Sequence, residues 1–116
     1  MANFRVYFNN RRQWLDVTLH DVSPSTFERR NGTPWGYYQG AAERKNRKGK
    51  FGEIHLVRTR VRHDLAAHEL FHAFADWLNC KKMQISSANE ERLANLFDEM
   101  TRNFWRAFER EDHATS

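Results

Sequence analysis

The chain has 116 residues, a length that points to one domain, large enough for a real core without staples. Hydrophobic residues make up 40% of it, including nine Phe and four Trp, which argues against a disordered chain. No apolar run approaches the roughly 18 residues of a membrane span, and Met1-Ala2-Asn3-Phe4-Arg5 lacks the apolar stretch of a signal peptide. Cys80 is the sole cysteine, so no intrachain disulfide can form. These features predict a cytoplasmic protein without a membrane partner. The net charge of +4 and a pI near 9.6 favour acidic partners. Much of the excess lies in Arg44, Lys45, Arg47, Lys48 and Lys50, a stretch readable as a solvated loop or as a weak nucleic-acid contact.

Phe4 to Phe8 and Trp14 to Leu19 alternate in polarity and are rich in strand formers. Asn9-Asn10-Arg11-Arg12 between them would form a hairpin turn, although without glycine. Ser23-Pro24-Ser25-Thr26 opens a short helix or loop through Arg30, and Asn31-Gly32-Thr33-Pro34 is a second turn signal. Trp35 to Gly40 reads as a strand, and Ile54, Leu56 and Val57 belong to another entered through Gly52. Residues 1–62 thus read mainly as strands and loops. A helix follows over 63–79, with Ala67, Leu70, Phe71, Phe74, Trp77 and Leu78 on an apolar face. Leu65, His68, Glu69, His72 and Asp76 occupy the other. A second helix spans 87–110, opened by the capping-box pattern Ser87-Ala88-Asn89-Glu90. Its apolar residues are Leu93, Leu96, Phe97, Met100, Phe104 and Phe108.

The first of these helices carries His68-Glu69-x-x-His72. Residues four apart lie nearly above one another on a helix, so the two imidazoles can bind one metal ion. Glu69 is turned by about 100° from His68, beside such an ion, where it can take a proton from a metal-bound water. A catalytic zinc usually has three protein ligands, so one more is required.

Glu91 and Asn95 stand one helical turn apart on the second helix. Here the chain resembles the gluzincin metallopeptidases, which pair H-E-x-x-H with a downstream glutamate. More closely, it is similar to the ImmA/IrrE group. Ala67-His68-Glu69-Leu70-Phe71-His72 matches its A-H-E-L-G-H pattern, and Glu91, Ala94, Asn95 and Phe97 match E-x-x-A-N-x-F. Gly52-Glu53-Ile54-His55-Leu56 also resembles the edge strand preceding that family's active helix. The likeness covers about residues 52 to 97, with Phe71 in place of the usual glycine and Asp98 in place of a small residue.

The resemblance implies a zinc peptidase with His68, His72 and Glu91 as ligands, Glu69 as general base and Asn95 orienting a ligand histidine. It implies a small zincin-like α+β domain, a twisted and mostly antiparallel sheet packed on two main helices. It also implies a protein or peptide substrate, held in extended form by strand 53–57. Many members are encoded by phages or mobile elements, which would place the protein in a bacterial or infected-host cytosol. On the helical wheel, Glu91 falls nearly opposite the second helix's apolar stripe and Glu90 at its edge, which leaves both open as ligands. A SprT-like arrangement needs a third histidine downstream, for which only His113 is available. His55, His63, Tyr38 or Tyr37 would be contacts for a substrate or oxyanion, and Asp76 a carboxylate supporting the metal face. The alternative function is a non-catalytic module binding protein or nucleic acid through Arg44 to Lys50.

Overall fold

A computed structural model describes residues 1–41 and 49–115, with the side chains of 113–115 outside the description. Arg44, Lys45, Arg47 and Lys48 therefore lie outside the described residues, as does the side chain of His113. The architecture is α+β. Strands β1 (Ala2–Phe8), β2 (Gln13–His20), β3 (Gly36–Gly40) and β4 (Gly49–Val57) form one sheet. Helix α1 (Pro24–Asn31) precedes β3, and a single 3-10 turn at Arg58–Arg60 leads from β4 to α2 (His63–Cys80). Helix α3 (Glu90–Thr115) follows.

The sheet order is β1-β2-β4-β3. The outer pairs are antiparallel, but β2 and β4 run parallel at the centre, with Val17 facing Ile54 and Leu19 facing Leu56. Strand β4 is thus an inner strand, not the expected edge. The edge strands are β1 and β3. The glycine-free hairpin turn is real, and Asn9, Asn10 and Arg11 all take positive φ, between 54° and 64°. Asparagine tolerates this left-handed conformation, while Arg11 is strained in it.

Alternation sends Val6, Phe8, Leu15, Val17, Leu19, Ile54 and Leu56 to one face, each at most 1% exposed. Both long helices cover that face, α3 over β1 and α2 over β3. Phe97 of α3 meets Phe71 and Phe74 of α2 between them. The other face is polar, carrying Arg5, Asp16, Lys50 and Glu53 in one chain of ion pairs. Helix α1 caps its far end through buried Phe27, against His20 and Tyr37. The hydroxyl of Ser23 caps α1, and Gly32 ends it at φ 81°, as the two turn signals predicted.

Helix α3 begins at Glu90, and its opening is shifted by one residue from the expected box. Asn89, rather than Glu90, reaches back, accepting from the Ser86 backbone N–H at 2.8 Å. The Glu90 N–H then bonds the Ser86 carbonyl at 2.9 Å.

Candidate metal centre

Helix α2 starts without a side-chain cap, but Asp64 stands in its first turn, where the helix dipole favours a negative charge. The helix is oriented by Ala66, Leu70, Ala73, Phe74 and Trp77, all buried. Trp77 donates its indole N–H to buried Gln13 at 3.1 Å, tying α2 to the β1–β2 hairpin. This stripe is rotated from the expected one. Ala67 and Phe71 point to solvent, Phe71 being 58% exposed, while Glu69 is only 4% exposed. The division between apolar and ionisable faces therefore runs through the motif, leaving the histidines outside and the glutamate inside.

His68 and His72 present their Nε2 atoms to each other at 3.2 Å. Two nitrogens bound to one tetrahedral zinc at about 2.0–2.1 Å lie roughly 3.3–3.4 Å apart, so little movement is needed to admit the ion. His68, Glu69 and His72 offer ligand atoms all within 4.8 Å of one another, the one such group among the described residues. Burial pushes the Glu69 carboxyl above its ordinary pKa, opposed by the two nearby histidines. A carboxylate with raised pKa accepts a proton more readily than an exposed one.

The cluster lies between α2 and β3. Two hollows of about 630 and 530 Å³ share Thr33, Gly36, His68 and Glu69, forming one trough along α2. One end is lined by Trp35, Arg60, Arg62 and Asp64, the other by His72, Tyr38, Asp76 and Asn79. Tyr38 crosses Gly52, where a Cβ would come within 2.8 Å of its hydroxyl, and donates to Asp76 at 2.7 Å. That bond joins β3 to α2 and sets the width of the trough.

Other expected site residues go elsewhere. Glu91 and Asn95 are exposed on α3, and Glu91 is not in the histidine group. The cause is the packing of α3, which buries Leu93, Met100 and Phe104 and sets Phe104 against Phe4 of β1, so that Glu91 is turned outward and Glu90 is exposed too. His55 is on the opposite face of the sheet, stacked on Tyr37 at 4.8 Å and 2.9 Å from the His20 ring nitrogen. His63 packs against Trp105 of α3. Of the expected substrate contacts, only Tyr38 turns its ring to the trough; Tyr37 borders it by its place in β3 while its ring stacks on His55 on the other face. Exposed Cys80 has its thiol 3.8 Å from Asp76. Lys50 pairs with Asp16 and Glu53. The sequence reading missed Thr33 and Gly36, whose only signal was the turn preceding β3.

No family model, curated protein or solved structure matches the chain. Among the described residues, no helix is long and apolar enough to cross a membrane.

Proposed function

We propose that this protein is a zinc-dependent peptidase acting on an extended segment of a protein substrate laid in the trough between α2 and β3. The observation that carries this reading is the 3.2 Å approach of two imidazole nitrogens beside a buried glutamate in an open cleft. His68 and His72 would hold the ion through Nε2, each with its proton on Nδ1. When bound, zinc supplies Lewis acidity, which polarises a scissile carbonyl and makes water nucleophilic near neutral pH. Glu69 takes the proton from the attacking water and passes it to the leaving amide nitrogen. The trough runs past the cluster in both directions, so chain on either side of the scissile bond has room. The strand beside the substrate is β3 in this reading, because β4 is enclosed between β2 and β3.

A second reading, a non-catalytic binding module, draws on one observation: among the described residues, Glu69 is the sole carboxylate grouped with the histidines. Zinc content and cleavage of a fluorogenic peptide library, measured on the parent, Glu69→Gln and Glu91→Ala, separate the two. About one zinc per chain, with cleavage lost in Glu69→Gln while zinc remains, supports the peptidase. Cleavage surviving in Glu69→Gln, or a parent that binds no zinc, would sink it. Glu91→Ala is expected to keep its zinc.

A further inference from the structure

A second cleft, of about 500 Å³, lies at the other side of the molecule between the β1–β2 hairpin and α3. Arg5, Arg11, Arg106 and Arg110 line it, with Tyr7 and Asn103. Glu109 is its one lining carboxylate. Among the described residues no carboxylate lies within ion-pair reach of Arg11, Arg106 or Arg110, and Arg5 reaches only Asp16, at 3.6 Å. By contrast, Lys50, Arg58, Arg62 and Arg102 each have an acidic partner. Two of the guanidiniums are held by rings, Arg5 at 4.3 Å over Trp14 and Arg11 at 4.4 Å over Tyr7. Stacking occupies one face of a guanidinium and leaves the N–H rim of Arg11 for a ligand, whereas Arg5 already donates to the Tyr7 hydroxyl at 3.5 Å and reaches Asp16. Arg11 is brought there by a left-handed backbone (φ 64°) that arginine rarely adopts.

We infer that this cleft binds the phosphate backbone of a single-stranded nucleic acid. Four guanidiniums suit phosphodiester oxygens, which they bind as forked donors. The hollow is larger than one phosphate needs, and the outer faces of the ring-stacked Arg5 and Arg11 guanidiniums are planes of the kind on which unpaired bases stack. An acidic peptide is the less favoured ligand. The outward Tyr7 carbonyl of β1 already accepts from the Asn103 amide at 2.7 Å, so one backbone group that an added peptide strand would pair with beside the cleft is taken. The inference is independent of the peptidase reading.

Fluorescence anisotropy of a labelled 12-nucleotide single strand, titrated over a range of KCl, tests it on the full chain. With three or four phosphates neutralised, log K should fall with log salt at a slope between about −2 and −3. Arg106→Glu combined with Arg110→Glu should weaken binding tenfold or more and flatten that slope. Arg92→Glu, on the first turn of α3, should change it little. Both variants alter exposed positions, and an unchanged Tm and far-ultraviolet circular dichroism spectrum would show that they fold. No binding by the parent, equal binding of duplex, or equal binding of polyglutamate or a phosphopeptide would overturn the proposal. So would retention of affinity in the double variant with loss on Arg44, Lys45, Arg47 and Lys48→Ser.

Discussion

The two edges of the sheet end differently. At β1 the long helix α3 lies over the strand, and Asn103 reaches down to satisfy a backbone carbonyl that would otherwise face water. At β3 the neighbouring helix stands off, pinned by the Tyr38–Asp76 bond, and the space between them is the trough holding His68, Glu69 and His72. One edge is closed by the chain itself, and its cleft is lined by charged side chains. The other faces a groove that polar chemistry enters from a helix. A single sheet thereby separates an arginine-lined cleft from the trough that carries the histidine–glutamate cluster.

Breaking the β3 side should have the larger consequences. Glu69→Gln is expected to lower peptide cleavage by about 10²–10⁴-fold, the usual range for removing a general base, in steady-state assays at constant zinc. Gly36→Ala would put a Cβ 2.7 Å from both the His55 carbonyl oxygen and Leu56 Cδ2. The backbone cannot yield cheaply there, so a loss of about 1–3 kcal/mol should appear in urea unfolding. On the β1 side, Asn103→Ala removes one part-buried hydrogen bond and should cost about 0.5–1.5 kcal/mol by the same measurement. Cleavage should stay unchanged, which would show the two edges to be independent.

The smallest expected effect lies on the polar sheet face. Burial and neighbouring His55 lower the pKa of His20 below its ordinary 6.5, with Arg30 and the N-terminus acting in the same sense and Asp21 against it. The unfolded chain therefore takes up this proton more readily than the folded one. Stability should be full above about pH 6.5, decline as pH falls through that value toward the lowered pKa, and level off below it. Urea midpoints between pH 7.5 and 5 should show this slope, and His20→Gln should reduce it.

Local features were the legible part. Both turn signals around α1, the first hairpin, the placement of α2 and the pairing of two histidines one turn apart all follow from short-range rules. Features that depend on a distant partner were not legible. Periodicity placed Phe71 inside and Glu69 outside. The spacing of Ala66, Leu70, Ala73 and Trp77 also fits a helix, and contact with β3 selected that stripe. The edge position expected of β4 came from the resemblance, and hydrophobic runs do not reveal strand order, so nothing local showed that β3 lies outside it. Glu91 had the right spacing from Asn95 for its motif. Its direction, however, is set by the burial of Leu93, Met100 and Phe104 in the core.

The parallel seam between β2 and β4 also has a kinetic meaning. Each outer pair joins strands consecutive in the chain, whereas the seam joins segments separated by α1 and β3. Closing that long loop costs entropy before the contacts of Leu15, Val17, Ile54 and Leu56 repay it. The two antiparallel pairs can form early, and their alignment along the seam should limit the folding rate. In stopped-flow refolding, Val17→Ala and Ile54→Val should slow folding more than they speed unfolding, and a truncation of Phe27 in α1 should do the reverse.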